Sequence, residues 1–186
     1  AETRPSGDPV DADFPVYLSG LGTVTPLATV TVRPRVDGEL IRVAFKEGQL
    51  VKQDELLAEI DPRPFQVQLT QAEGQLAKDQ ANLVSVKLDY ERFKNLVADG
   101  LIPQSQFDAQ ASLVAQVEAS IKTDEGSVAG ARLNLTYSKI TAPITGRAGL
   151  RQVDPGNMVH AADSGGIVVL TQLDPIATLF TLPEDS

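Results

Sequence analysis

The side chains that could carry out chemistry are few and scattered. His160 is the only histidine, Met158 is the only methionine, and the chain has no cysteine. A Ser-His-Asp triad would have to use His160, yet no nucleophile-elbow pattern accompanies it. One histidine and one methionine without a thiolate cannot complete a soft-metal site. We therefore predict an exposed loop histidine, no catalytic residue and no metal site.

The glycine pairs Gly20–Gly22 and Gly165–Gly166 lack the spacing of a P-loop or a dinucleotide-binding turn, and they predict ordinary turns. The net charge of −9 excludes nucleic acid as a partner, because phosphate neutralisation needs a surface of lysine and arginine. No apolar run approaches the roughly 18 residues that a membrane span requires. Residues 1–13 are polar and rich in proline and aspartate, and we expect a disordered leader that follows a removed signal or anchor.

Residues 62–136 predict a long helical hairpin. Apolar residues spaced alternately three and four apart form a heptad seam, and the turn at Gly100 and Pro103 separates two antiparallel helices over about 63–98 and 104–136. We predict Asp61 as an N-cap, Gly100 as the C′ glycine of the first helix, and Ser105 as the start of a capping box. The seam of the first helix is Phe65, Leu69, Ala72, Leu76, Asp79, Leu83, Val86, Tyr90, Phe93 and Val97. That of the second is Phe107, Gln110, Val114, Val117, Ile121, Asp124, Val128, Ala131 and Leu135.

Pairing the two helices about Leu101 and Ile102 places Leu83 beside Ile121 and brings Asp79 and Asp124 to the same level of the seam. Two facing carboxylates disfavour joint ionisation. We expect both to turn outward to water or to pair with Lys78 and Lys122; a pH-sensing role is the alternative.

Segments on either side of the hairpin repeat one pattern of strand, proline, turn glycine, strand and second glycine. The pattern holds Gly38 and Gly48 in residues 30–61, and Gly146 and Gly156 in residues 137–173. We expect these glycines to supply the positive φ of tight turns. Neither half is large enough to bury a core alone, so the two should form one sandwich related by a pseudo-two-fold axis.

Two such halves resemble those of a biotinyl/lipoyl domain. The hairpin between them, with the segments VTVRPRVDGEL, FKEGQLVKQDELLAEIDP and SKITAPITGRAGLRQVDPGN, resembles the HlyD-like periplasmic adaptors, or membrane fusion proteins, of resistance-nodulation-division (RND) multidrug efflux pumps. The resemblance implies an α+β fold: a split biotinyl/lipoyl-like β-sandwich with an inserted, long antiparallel α-helical coiled-coil hairpin. It also implies that residues 14–29 supply a strand of a β-barrel region and that 174–186 start a β-barrel domain whose remainder is absent.

The resemblance further implies a function without catalysis and without a cofactor. Such an adaptor joins an inner-membrane RND drug/proton antiporter to a TolC-like outer-membrane channel, as a ring of six copies in the periplasm of a Gram-negative bacterium, attached to the inner membrane. In the family, an Arg, a Leu four residues later and a Ser seven beyond mark the hairpin tip that docks on the channel. Arg92 and Leu96 match, whereas Pro103 stands at the third position with Ser105 nearby. We expect Leu101 and Ile102 to be exposed there and to contact the channel.

Two rival functions follow from the same features. The first is an adaptor of an ABC-type exporter or type I secretion system. The second is a biotinyl/lipoyl carrier subunit; however, Lys52 belongs to an ordinary turn, and the joint between the halves, Ile60–Pro64, contains no lysine to modify. The mass of the expressed protein distinguishes the carrier, because a carrier gains a covalent adduct.

Overall fold

The computed structural model describes residues 22–180, which form ten strands and two helices. In chain order these are β1 (Gly22–Pro26), β2 (Thr29–Val32), β3 (Gly38–Val43), β4 (Leu50–Val51), β5 (Leu56–Ile60), α1 (Arg63–Ala98), α2 (Gln104–Tyr137), β6 (Lys139–Thr141), β7 (Gly146–Ala148), β8 (Met158–Val159), β9 (Val168–Thr171) and β10 (Ile176–Phe180).

Helices α1 and α2 pack against each other as the predicted hairpin. All the predicted seam residues are buried or partly buried, and on α1 every residue outside the seam except Asp89 is exposed. A helix that shows one narrow apolar stripe can bury it only against a second stripe, so the 3-4 spacing alone is enough to predict the pair. At a rise of about 1.5 Å per residue, the 36 residues of α1 make a rod roughly 50 Å long.

The two helix starts differ from each other. The Asp61 carboxylate accepts the backbone N–H of Arg63 at 3.0 Å, but α1 begins at Arg63, so Pro62 is the N-cap residue and the prediction of Asp61 as the N-cap is wrong by one residue. The predicted capping box at Ser105 is wrong. Helix α2 begins at Gln104 after Pro103, and no side chain caps it. The extended backbone of Pro103 (φ −66°, ψ 146°) sets the start two residues earlier and leaves Ser105 in the first turn.

The contacts across the hairpin agree only in part with the predicted pairing of residues. The exposed ion pairs Glu73–Arg132 (3.3 Å) and Lys87–Glu118 (2.8 Å) agree with it to within one residue. Nearer the tip, the ring of Tyr90 lies 5.0 Å from that of Phe107, one heptad closer to the turn than the pairing implies. The facing of Leu83 with Ile121 therefore stays a prediction.

Strands β2 to β9 form two four-stranded sheets, and each sheet contains strands from both sides of the hairpin in the sequence. One sheet has the order β2-β9-β7-β4 and the other β6-β5-β3-β8. The equivalent strands of the two halves are β2 and β6, β3 and β7, β4 and β8, and β5 and β9. Exchanging the members of each pair converts the order of one sheet into that of the other. One hydrophobic core takes side chains from both sheets: Val32, Leu40, Val51, Leu57, Ala58, Ile60, Ile140, Ala148, Val159, Val168 and Leu170. We call these two sheets with their core the β core.

Glycine is required at the repeated positions for two different reasons. Gly48 and Gly156 have positive φ, 76° and 92°, and their amides donate to the carbonyls of Ala148 (2.8 Å) and Leu40 (2.7 Å), which are equivalent positions of the other half. Gly38 and Gly146 do not have positive φ, so the expectation fails for them. They are glycine because of close packing. A Cβ on Gly38 would lie 2.6 Å from Ile60 Cγ2, and one on Gly146 would lie 2.6 Å from a backbone oxygen.

Strands β1 and β10 form a separate antiparallel ribbon, pairing Gly22 with Phe180 through Pro26 with Ile176. Its apolar side chains are exposed: Val24, Ile176, Leu179 and Phe180. The predicted leader, residues 1–13, lies outside the described residues, as do 14–21 of the predicted barrel strand and 181–186 of the predicted barrel start.

Candidate functional site: the hairpin tip

The tip is built by a tight helix ending. Helix α1 ends at Ala98, and Gly100 takes φ 70°, as the C′ position of such an ending requires. The amide of Leu101 donates to the carbonyl of Leu96 and that of Gly100 to the carbonyl of Val97, both at 2.9 Å. This pair of bonds is the Schellman motif, which reverses the chain and satisfies free helix carbonyls. It fixes Leu96 and Leu101 next to each other.

The apolar residues of the tip differ in exposure. The side chain of Leu101 is 68% exposed, and Leu96 is at the limit of exposure with 37%. Ile102 is partly buried, so the expectation that it faces solvent together with Leu101 is wrong. Because the chain turns back towards α2 at this residue, Ile102 is shielded while Leu101 stays at the outer end. Pro103 and Ser105 are exposed beside it.

Arg92 lies on the outer surface of α1, with 71% of its side chain exposed. Its Nη1 donates to Oδ1 of Asp89 at 2.9 Å. An exposed pair three residues apart on a helix contributes only about 0.3–0.5 kcal/mol. A partner that offers a carboxylate or carbonyl to the guanidinium can therefore replace Asp89 at little cost, while Asp89 holds the side chain in place beforehand.

A groove beside these residues was missed from the sequence. It is open, measures about 580 Å³, and lies between the helices near the tip. Its lining combines apolar side chains with amides: Phe93, Gln106, Ala109, Gln110, Ser112, Leu113 and Gln116. Leu113 is a large apolar residue that lies outside the seam, and 40% of it is exposed. Such an off-seam leucine close to the turn was the signal that could have indicated the groove.

A second groove of about 430 Å³ lies where the hairpin joins the β core. It is lined by the segments Val30–Arg35 and Lys139–Thr141, with Thr136, Tyr137 and Pro143. The guanidinium carbon of Arg35 lies 4.9 Å from the centre of the Tyr137 ring, within the range of a cation–π contact. This contact ties the base of α2 to the segment between β2 and β3.

The remaining candidates for chemistry lie apart from the tip and from one another. His160 is in an exposed loop, as predicted, and its Nδ1 is 3.7 Å from Oδ2 of Asp163. Lys52 is exposed in a turn in which its amide donates to Glu55 Oε2 at 2.8 Å. Gly166 has φ 73° and packs tightly against the Val32 carbonyl, so the turn interpretation holds for it. Gly20 lies outside the described residues.

The two seam carboxylates do not behave as expected. Asp79 and Asp124 are both partly buried, and they lie at the same level of the two facing seams, between the ion pairs Glu73–Arg132 and Lys87–Glu118. Burial raises the pKa of Asp124 above its ordinary value of 3.8, the hydrogen bond to Asp79 and the charge of Asp79 raise it further, and Lys78 opposes the shift. The expectation that both turn outward is wrong, because the packing of the seam holds the Asp124 side chain between the helices.

The described residues contain neither a membrane-spanning helix nor a metal-binding cluster. Between residues 22 and 180, neither helix is apolar enough over sufficient length to cross a bilayer. Within the same range, the acidic and histidine side chains form no group of three that could hold a metal ion.

Comparisons with known proteins agree with this architecture. The chain is 58% identical to the multidrug resistance protein MdtA of Pectobacterium atrosepticum over 93% of its own length, and it spans 42% of the length of that relative. A crystal structure of a MacA-MexA chimera that contains the Pseudomonas aeruginosa MexA α-hairpin domain is 32% identical, with a TM-score of 0.56, covering 81% of this chain and 48% of that one.

The fold alone is shared with the membrane fusion protein Spr0693 of Streptococcus pneumoniae R6 (TM-score 0.64, 14% identity, 87% of this chain and 68% of that one). The profile of the RND membrane fusion protein (MFP) barrel-sandwich hybrid domain matches residues 28–171, which include both halves of the β core and the whole hairpin. The chain therefore belongs to the family of RND membrane fusion proteins, of which this stretch is the barrel-sandwich hybrid domain.

Proposed function

We propose that this chain is part of a periplasmic adaptor that connects an inner-membrane RND drug/proton antiporter with a TolC-like outer-membrane channel in multidrug efflux. The observation that carries the proposal is the long hairpin with an apolar tip. A rod of about 50 Å projects from a family-assigned β core and ends in Leu101, which is 68% exposed. Exposed apolar residues at the end of a rod are unfavourable unless a partner covers them.

The β core takes the role of the rigid base in this proposal. We assign residues 30–61 and 137–173 to the halves of a split biotinyl/lipoyl-like sandwich, 62–136 to the hairpin, and the ribbon of β1 and β10 to the beginning of a β-barrel domain. Two facts support the assignment. The two sheets exchange strands between the halves, and Gly48 and Gly156 make equivalent hydrogen bonds. The exposed apolar face of the ribbon fits an element that a further domain covers.

Docking at the tip follows from its side chains. Arg92 offers a fork of donors to carbonyls or carboxylates of the channel. Leu96 and Leu101 fit an apolar groove on the partner, and Pro103 and Ser105 form the edge of the contact with Ile102 beneath them. A single tip presents a small surface, so its affinity is low. A ring of six copies multiplies weak contacts through effective concentration.

The membrane location is also a proposal. The relatives named multidrug resistance protein MdtA and the family profile favour the periplasm of a Gram-negative bacterium, with attachment to the inner membrane. The work of the adaptor is geometric. In this proposal the hairpin extends across part of the periplasm, its tip contacts the outer-membrane channel and the β core packs around the pump. No bond of the exported compound is made or broken.

The test uses drug resistance of cells that depend on the full-length protein containing this chain. We expect Arg92→Asp and Leu96→Ser to abolish resistance while adaptor abundance on a blot is unchanged, because each removes a contact without touching the seam or the β core. Leu133→Ser is the matched control, since Leu133 is an exposed leucine (48%) near the base of the same hairpin. Full resistance in both tip variants and in a Leu101→Ser/Ile102→Ser double variant would show that the channel is held elsewhere.

Purification of the adaptor after crosslinking in cells identifies the transporter. Recovery of an RND antiporter with the wild type and with the tip variants, and loss of the channel from the tip variants alone, is the expected result. Recovery of an ABC transporter instead would assign the chain to the rival class of exporters.

A further inference from the structure

The seam of the hairpin is interrupted once on each helix by an acid. Asp79 lies between Leu76 and Leu83 on α1, and Asp124 lies between Ile121 and Val128 on α2. All four neighbours are buried or partly buried apolar side chains. An ionised carboxylate in such surroundings loses hydration that only hydrogen bonds can replace.

The hydrogen bonds around these acids are too few for two ionised groups. The Oδ2 atom of Asp124 is shielded from solvent and has no hydrogen-bond donor among residues 22–180. Asp79 Oδ2 accepts one long bond, 3.4 Å, from Gln75 Nε2. The two carboxyl groups lie at the same level of the facing seams, between the cross-hairpin ion pairs Glu73–Arg132 and Lys87–Glu118. Two carboxylate oxygens can be hydrogen-bonded to each other only when a proton lies between them.

The surrounding charges do not supply that missing donor. On α1, Lys78 is exposed and acts on Asp124 only through its charge. On α2, Lys122 and Glu125 are exposed on the outer surface. The nearest lysine and arginine on either side, Lys87 and Arg132, are held by Glu118 and Glu73 across the hairpin. Since the hairpin consists of α1 and α2 alone at this level, these are the ionisable groups that the pair meets.

We propose that Asp79 and Asp124 share one proton across the helix interface, and that this proton makes the middle of the hairpin a pH-dependent contact that is tight in acid and loosens as the pH rises. When the shared proton leaves, two negative charges face each other in a partly buried seam, and the helices separate locally to admit water. The device is independent of what docks at the tip.

The direction follows from linkage. The pKa of Asp124 is raised in the folded hairpin, so the protonated form binds its proton more tightly there than in the open chain. The stabilisation is complete below the open-chain value of 3.8 and is lost as the pH rises through the folded value. Between the two values, the opening equilibrium of this region should rise by up to about tenfold per pH unit, the limit for one proton.

Amide hydrogen exchange of the full chain at a series of pH values tests this. The readout is the ratio of protection between wild type and Asp124→Asn for residues 117–128, taken at the same pH so that intrinsic exchange chemistry cancels. The amide introduced by the substitution donates to Asp79 at every pH. We expect the ratio to favour the wild type least at the highest pH and to change by severalfold across the series.

Glu125→Gln is the matched control, because it removes the same charge one residue away on the exposed surface. Its ratio to wild type should not vary with pH. Asp79→Asn changes the other member of the pair, on α1, and should reproduce the behaviour of Asp124→Asn. The test therefore stays valid if one of the two variants folds poorly. A constant ratio for both aspartate variants, or a pH-dependent ratio for Glu125→Gln of the same size, would overturn the proposal.

Discussion

The β core and the hairpin are held together by very different amounts of buried apolar surface. In the β core, Leu40, Leu57, Ile60, Ile167 and Leu170 are completely buried. In the hairpin, the most buried side chains are three valines, Val86, Val117 and Val128, each of which keeps 7–8% exposure. Since hydrophobic stabilisation scales with the apolar area removed from water, each core residue of the β core should contribute more to stability than a seam residue of the hairpin.

The polar contacts of the β core are also expected to contribute more to stability than those of the hairpin. In the β core, main-chain bonds join the halves, such as Gly48 to Ala148 and Gly156 to Leu40. In the hairpin, the polar contacts between helices are two exposed ion pairs, one bond from the Gln110 amide to the Val86 carbonyl (3.3 Å) and the acid pair Asp79–Asp124. Exposed ion pairs contribute little. We therefore expect the β core to be more stable than the hairpin.

The largest expected contrast comes from the same truncation in each region. Leu57→Ala should lower the free energy of unfolding of the β core by about 2–5 kcal/mol, since it leaves a cavity in a fully buried site. Leu83→Ala, at a partly buried seam position, should cost less than half as much, and the loss should be confined to the hairpin. Urea denaturation, with exchange of β-core amides and helical circular dichroism followed separately, measures both. Equal losses would contradict the comparison.

Adding one methyl group should have opposite signs in the two regions. Gly146→Ala brings a Cβ to 2.6 Å from the Thr171 carbonyl oxygen, and such overpacking costs about 1–3 kcal/mol. Gly130 lies on α2 with open space around it, so Gly130→Ala should stabilise the hairpin by about 1 kcal/mol through helix propensity. Thermal unfolding of the two variants compares them. A destabilised Gly130→Ala would mean that this surface is already covered by another molecule.

The smallest effect is expected from the largest deletion. Strands β5 and β6 pair directly, with Glu59 opposite Lys139, so the hairpin is inserted at a point where a tight turn could join the two strands. Replacing residues 62–136 by an Asn-Gly turn should leave the β core folded. Its fully buried apolar residues stay in place, and the deletion removes only Phe65 from the edge of the core and the bonds from Ser138 to α2, so the free energy of unfolding should fall by roughly 1 kcal/mol. The amide spectrum of the β core gives the result. A molten or unfolded product would show that the halves need the hairpin to meet.

Prediction from the sequence worked best where the determining contacts repeat along the chain. The helices of the hairpin and their seam residues follow from a 3-4 spacing, which puts the same side chains on one face whatever the rest of the molecule does. The Schellman ending at Gly100 is equally local. The groove beside Phe93 and Leu113 could not be predicted in this way, because it depends on how side chains of α2 lie next to Phe93 of α1.

The pattern of residue types was enough to predict a helical hairpin inserted between two β segments and the position of the turn at its tip. The tertiary structure alone decided which glycines need positive φ and which need space, since Gly38 and Gly146 are constrained by residues far along the chain, Ile60 and Thr171. It also decided that Ile102 is shielded while Leu101 is exposed, and that Asp124 keeps one carboxylate oxygen shielded from solvent. Each of these depends on which distant backbone comes close, and a linear pattern of residue types does not encode that distance.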